Sequence, residues 1–477
     1  MKRGILLLLL LLSAFQSFSQ ELAAKTPIKF VEKSDVFQIV EEKEKRICFF
    51  LTDKKNIKIL RFNNDFGVLD SLSVTRPSEK FDQIIGYSIS QNKYFIFWSN
   101  SRNKEIIEQC FNMNDKSVNT NAHSLVFDKE KPLKKITVNN LFYLITLVKS
   151  SNKLNFYRFT DGQFDKKTVD FSQTIFLNAS NKPASLWSVF NEKSRLEEEM
   201  TLQTISDDTP PSLVLSAHKR KMYIKENVLT ITLDNNSDLT QILKIDLNDF
   251  SSSTNSIPQP EVAELDLMGV DSNSFLMPDQ IIQMKTNSEK MFLLVKDLNG
   301  KLLKSNVLNP DEEISIKNSE VVQENGSIKK AEVINEPGKL LRKLNKLHPS
   351  LSCYSVNDNL CLTIGGVSPP PNNNNAIAVG AVLGGLTGAL IVAAITSNSS
   401  AENLLSYKDR KVIYVNCLFD NQFNHLSGNV ENLAFDSLRA FAEEKHQMPN
   451  QTVFKFDNNL YFGFYNNEEQ NYSFYRF

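Results

Sequence analysis

Short runs of aromatic and aliphatic residues recur along this chain, each led by a polar pair. Lys45-Arg46 opens Ile47-Cys48-Phe49-Phe50-Leu51, Asn92-Lys93 opens Tyr94-Phe95-Ile96-Phe97-Trp98, and Asn139-Asn140 opens Leu141-Phe142-Tyr143-Leu144-Ile145. The steps from Ile47 to Tyr94 to Leu141 are about 47 residues each, within the range of radial repeats. Leu186-Trp187 falls near the next position. Arg410-Lys411 before Val412-Ile413-Tyr414, and Asn458-Asn459 before Leu460-Tyr461-Phe462, resume the spacing late in the chain. Two copies align almost residue for residue. Asn139-Asn140-Leu141-Phe142 runs on to Phe156-Tyr157-Arg158-Phe159, and Asn458-Asn459-Leu460-Tyr461 runs on to Phe474-Tyr475-Arg476-Phe477.

Each unit reads as strands. Lys135–Val138, Leu141–Lys149, Leu154–Thr160 and Phe164–Phe171 are separated by Asn-Asn, by Ser150–Lys153 and by the hairpin signal Asp161-Gly162. Phe292–Lys296 and Lys301–Val307 form a similar hairpin around Asp297–Gly300. Four short antiparallel strands per repeat make a propeller blade, and the chain resembles exported β-propeller repeat proteins. It carries neither a Trp-Asp signature nor paired kelch glycines, so the resemblance names no subfamily. It implies an all-β propeller of about seven four-stranded blades (six to eight). Thr452–Phe456, Leu460–Tyr465 and Tyr472–Phe477 supply only three strands of the last blade. A strand around Ile28–Glu32 would supply the fourth and close the ring, removing two sheet edges. An outer-membrane barrel is the rival reading of the terminal aromatics. Its strands alternate over roughly ten residues, and the earlier runs here are shorter and more uniformly apolar.

Regularity weakens between residues 172 and 350. Ser194–Met200, with Glu197-Glu198-Glu199, reads as a helical or irregular excursion whose acids face solvent. His218-Lys219-Arg220-Lys221 reads as an exposed basic turn. Lys339–Leu347 reads as an amphipathic helix, with Leu340, Leu341, Leu344 and Leu347 opposite Lys339, Arg342, Lys343 and Lys346. Its apolar side either packs on the sheets or rests on anionic lipid. Leu433–Lys445 reads as a second helix between the last two blades.

One segment breaks the β pattern. Ala376–Thr396 is uncharged with Thr387 as its polar content, and as a helix it is long enough to cross roughly 30 Å of hydrocarbon. Gly380, Gly384 and Gly388 repeat every fourth position with Gly385 adjacent, a glycine-zipper-like groove suited to close helix approach in lipid. Pro369–Pro371 with Asn372–Asn375, and Ser397–Ser400, read as uncharged linkers. The expected organisation is propeller blades over 20–364, linkers and insert over 365–406, and completing blades over 407–477. The insert spans the bilayer, re-enters it, lies flat, or packs on protein. A single crossing would separate blades whose partners lie at the other end of the chain.

Composition adds an address and removes several chemistries. Lys2 and Arg3 precede an apolar run with Leu6–Leu12 unbroken, then Ser17 and Ser19 before Gln20. This predicts a signal peptide over 1–19 and export to the periplasm or outer cell envelope. Lys+Arg 54 against Asp+Glu 55 leaves a net charge of -1, with no basic field for nucleic acid. Of the five cysteines, Cys353 and Cys361 flank a turn-like stretch, where an oxidising compartment permits a disulfide. Directly paired strands suit disulfide geometry poorly, and the competing reading is small buried hydrophobes. The five histidines are scattered, and no nucleophile elbow, phosphate loop or metal-ligand spacing is present. The sequence therefore nominates no catalytic residue, cofactor or metal. It points to an exported binding or scaffold protein of the bacterial cell envelope. Expected partners are the membrane, envelope proteins or copies of itself held through the glycine-rich segment. An extracytoplasmic propeller hydrolase or lyase with its site at the central channel is the alternative.

Overall fold

The polar pairs act as hairpin turns. Gln91-Asn92, Asn139-Asn140, Asn357-Asp358 and Asp457-Asn458 each hold both residues at positive φ, between 47° and 64°. That is the two-residue turn whose twist matches the flanking strands, and Asn and Asp reach it at low cost. Each turn hands the chain from one strand to its antiparallel neighbour, and the apolar run that follows lies inside a sheet. The computed structural model describes residues 20–29, 35–100, 104–261, 270–370 and 399–477. Among them are five four-stranded sheets, two five-stranded sheets and one two-stranded sheet.

Two compact units are defined. The first comprises Glu431–Phe477 with the described part of Met1–Thr75. It holds sheet I, with strands Asp35–Glu41, Arg46–Thr52, Asn56–Phe62 and Val68–Thr75 in order, and sheet VII, ordered Glu21–Pro27, Asn471–Arg476, Asn459–Asn466 and Thr452–Phe456. The first described strand thus pairs with the last, Leu22 opposite Tyr475 and Thr26 opposite Tyr472. The N-terminal strand is Glu21–Pro27 rather than one around Ile28–Glu32, and of that stretch residues 30–32 lie outside the described residues. Phe474 packs against Phe49, Phe62 and Phe66 at ring-centroid distances of 5.6, 5.9 and 4.8 Å. Offset and edge-on aromatic contacts at such distances add about 0.5–1.5 kcal/mol each beyond area burial. The helix Ala434–Glu444, where the sequence places one, sets Phe441 edge-on to Phe462 in this unit.

The second unit runs from Arg76 to Val430 in its described parts. Sheet II contains Gln83–Ser90, Lys93–Ser99, Glu105–Asn112 and Ser117–Ser124, and sheet III contains Glu130–Val138, Leu141–Val148, Lys153–Thr160 and Gln163–Asp170. Phe142 of sheet III stacks on Phe97 of sheet II at 4.6 Å. A Cβ on Gly86 would fall 2.2 Å from the Phe142 ring, so only glycine admits that ring. Sheet IV is Gln203–Ile205, Arg220–Lys225, Val228–Leu233, Leu239–Asp246 and Ser252–Pro258, its first pair parallel and the rest antiparallel. Sheet V is Asp271–Leu276, Gln280–Thr286, Met291–Asp297 and Leu302–Leu308. Sheet VI is ordered Glu332–Ile334, Val321–Asn325, Lys411–Phe419, Asn359–Val367 and His348–Val356. The helix Pro337–Leu344 buries Leu340, Leu341 and Leu344 in the core shared by sheets V and VI. Its apolar face is therefore packed on protein, not left for lipid.

Candidate functional site

Strand Arg220–Lys225 of sheet IV organises the polar interior of the second unit. The exposed basic turn expected at His218–Lys221 is not what forms: Arg220 is 1% exposed and Lys221 0%. Lys221 Nζ donates to Asp234 Oδ2 at 2.7 Å, Asn273 Oδ1 at 2.8 Å and the His218 carbonyl at 2.8 Å, using all three ammonium protons. Asp234 also accepts from Thr240 Oγ1 at 2.7 Å and Ser274 Oγ at 2.8 Å. Asn273 Nδ2 donates onward to the carbonyls of Ala217 and Pro349 at 2.9 and 2.8 Å. These bonds tie sheets IV, V and VI at one point. Burial pushes the Lys221 pKa down, and the Asp234 carboxylate opposes that.

The neighbouring arginine serves the excursion before it. Arg220 donates to the carbonyls of Phe190 and Glu198 at 2.6 and 2.7 Å and to Thr201 Oγ1 at 3.0 Å, fixing an otherwise irregular loop. Glu197 lies in that loop and is buried, unlike its exposed neighbour Glu198. It accepts from the Lys219 and Arg220 backbone N–H groups at 2.9 and 3.2 Å and lies 3.2 Å from His218 Nδ1. Burial raises the Glu197 pKa, but the His218 hydrogen bond and the His218 and Arg220 charges outweigh it, holding the carboxyl down at about 2. In sheet III, Glu130 is held the same way. It accepts from Asn155 Nδ2 and Tyr157 Oη at 2.6 Å each and from Lys166 Nζ at 2.9 Å.

Beyond Lys221 the same strand forms the floor of an open cavity of about 680 Å³. Its wall is largely apolar: Ile205, Tyr223, Ile224, Phe275, Met277 and Leu298. Phe275 stands edge-on to Tyr223 at 5.8 Å, and Tyr223 Oη accepts from the Leu276 N–H at 3.3 Å. Lys225 and Lys244 line this larger lobe. A second lobe of about 300 Å³ shares Ile205, Ser206, Asp207, Ile224 and Glu226 with it. Four carboxylates line the second lobe, Asp207, Asp208, Glu226 and Glu402, and no lysine or arginine does. Their field reaches the surrounding phenols. Burial, and then Asp208, push Tyr87 up to about 12, and burial, then Asp207 and Asp208, raise Tyr354. Glu402 belongs to the helix Ser399–Ser406, whose Asn403 Oδ1 accepts from the Ser212 N–H at 3.0 Å and whose Asn403 Nδ2 donates to Thr209 Oγ1 at 2.9 Å.

Cys353 also lines the larger lobe, and burial raises its pKa. It sits opposite Leu362, whereas Cys361 sits opposite Tyr354. That one-residue offset sends the two thiols to opposite faces of sheet VI, and no bridge joins them. Gly380, Gly384, Gly385 and Gly388 lie outside the described residues, as do residues 1–19, where a signal peptide is expected, and the segment Ala376–Thr396. The strands flanking that insert are described. Val367 pairs with Val412, the Ser368 N–H donates to the Lys411 carbonyl at 2.8 Å, and Arg410 Nη1 donates to the Ser368 carbonyl at 2.8 Å. The chain thus leaves and returns at one hairpin end. Among the described residues no helix is long and apolar enough to cross a membrane, and no group of three His, Cys, Asp or Glu side chains is placed to hold a metal.

No protein-family model matches the chain, and no curated protein matches it. Solved structures similar to it include the WD40 domain of SCAP from fission yeast, at 10% identity and a TM-score of 0.29, covering 73% of this chain and 65% of that one. Cobalt-substituted Synechocystis ACO is similar at 9% identity and a TM-score of 0.28, covering 62% of this chain and 64% of that one. A protein from Lactobacillus plantarum is similar at 8% identity and a TM-score of 0.28, covering 69% and 79%. The chain spans slightly less than two thirds of the first two. At these values the likeness assigns neither substrate nor activity.

Proposed function

We propose that this chain is an exported, non-catalytic binding protein of the bacterial cell envelope, built as a seven-bladed propeller. Its ligand seat is the cavity on sheet IV, and its apolar segment Ala376–Thr396 docks it to membrane or to copies of itself through Gly380, Gly384, Gly385 and Gly388. Sheets I to VII supply the blades, and the pairing of Glu21–Pro27 with Asn471–Arg476 supports closure of the ring by the two ends of the chain.

One observation carries the binding reading. The buried ionisable groups Lys221, Asp234, Glu197 and Glu130 are committed to protein partners, while the open cavity is walled by aliphatic and aromatic side chains with charges at its rim. Such a wall holds a ligand by burial and orients it by a few polar groups. The flanking hairpin supports a same-side geometry. A one-way crossing between Val367 and Val412 would pull sheet VI apart, so the chain on both sides of the insert stays on one side of any bilayer. The helix Ser399–Ser406, which follows the apolar segment in the chain, supplies Glu402 to the cavity.

Deleting Ala376–Thr396 and joining the linkers should leave a folded protein that no longer sediments with membranes. Identical fractionation of wild type and deletion would contradict the docking reading.

A further inference from the structure

We propose that the two-lobed cavity seats an extended, basic polypeptide segment, which adds as a strand beside Ile224–Lys225 and sets a lysine or arginine between Asp207 and Glu226. The proposal rests on the reading of this cavity as the ligand seat.

The strand slot follows from register. Gln203–Ile205 pairs in parallel with Lys221–Tyr223 and stops there, Ile205 opposite Tyr223. Ile224 and Lys225 continue the strand with partners on the Val228–Leu233 side alone, Leu229 and Val228. Among the described residues no strand lies beside the opposite backbone edge of Ile224 and Lys225, and Ile224 belongs to both lobes. An extended peptide completes such an edge with main-chain hydrogen bonds and sends alternate side chains to opposite faces. Asn139 Nδ2 donates to the Glu226 carbonyl at 3.2 Å, which closes the far end of the slot.

Charge selects the occupant. The smaller lobe presents four carboxylates without a lining cation. Glu402 feels Lys134 nearby, which offsets one of the four. Lys225 and Lys244 stand in the larger lobe with the shared Asp207 and Glu226, so the seat grades from acidic at one end to apolar and charge-balanced at the other. A segment that carries a basic side chain toward the smaller lobe and an apolar one over Tyr223 and Phe275 matches both. An acidic segment would place its charge against the remaining carboxylates.

The test uses the full-length protein and two N-acetylated, C-amidated hexapeptides, Val-Lys-Phe-Lys-Val-Gly and its twin with both lysines replaced by glutamate, titrated calorimetrically. The lysine peptide should bind at least about tenfold more tightly than the glutamate twin, with the preference shrinking as salt rises. Asp207→Asn combined with Glu226→Gln should weaken the lysine peptide by roughly three- to thirtyfold while leaving the melting temperature unchanged. Equal binding of the twins would overturn the charge assignment and leave the seat standing. Failure of both to bind would overturn the strand slot and the seat together.

Discussion

The two ends of strand Arg220–Lys225 put similar side chains to opposite uses. At the start, Arg220 and Lys221 are buried and every ammonium proton of Lys221 meets a protein acceptor. At the other end, Lys225 and Glu226 are exposed at the rim of the cavity. What separates them is what lies across the strand. Asp234 and Asn273 are positioned opposite Lys221, whereas the strand Gln203–Ile205 stops before it can cover Ile224. A charge enclosed on all sides is structural, and a charge facing open space is left for a ligand.

That contrast breaks hardest at Asp234. Asp234→Ala would leave the Lys221 ammonium buried without its counter-charge, and a loss of about 3–5 kcal/mol in denaturant unfolding is expected. Replacing the pair together, Lys221→Met with Asp234→Leu, should cost much less, because no orphan charge remains. Equal losses for the single and double variants would show that the pair acts through packing rather than charge.

Glu197 gives a smaller, pH-dependent effect. Its folded pKa of about 2 lies below the ordinary 4.5, so it stabilises the fold above about pH 4.5 and loses that contribution as pH falls toward 2. The contribution at neutral pH is on the order of 3 kcal/mol. Glu197→Gln should lower stability at pH 7 and flatten the acid limb of the stability curve between those values. An unchanged acid limb would mean that His218, Arg220 and the two backbone N–H groups do not favour the ionised carboxyl.

The open end should hardly register in stability. Asp207→Asn with Glu226→Gln is expected to shift unfolding by less than about 0.5 kcal/mol, as surface substitutions away from buried networks do. A loss comparable to that of Glu197→Gln would assign these acids to the buried polar network instead of the seat.

The strands and turns were legible because they rest on local chemistry. Short apolar runs, Asn-Asn and Asp-Gly pairs and the leucine side of Pro337–Leu344 all act within a few residues, and the four strands of sheet III fall within a few residues of their expected bounds. The buried network around Lys221 and Glu197 was not legible. A run of His-Lys-Arg-Lys reads as solvated unless its partners are known, and those of Lys221 lie 13 and 52 residues away. Glu197 was misread for the same reason, its enclosure coming from residues 21 to 23 positions later. The cavity left no sequence signal either. Its wall is assembled from the ends of separate strands around Ile205, Tyr223, Phe275 and Cys353, each of which taken alone resembles any other strand end.

Amide hydrogen exchange across Lys219–Glu226, measured with and without the lysine hexapeptide, tests the division of labour within this strand most directly. Exchange at Ile224–Glu226 should slow when the peptide is present while Lys219–Met222 stays as protected as before. Unchanged exchange at Ile224–Glu226 on addition of the peptide would contradict it.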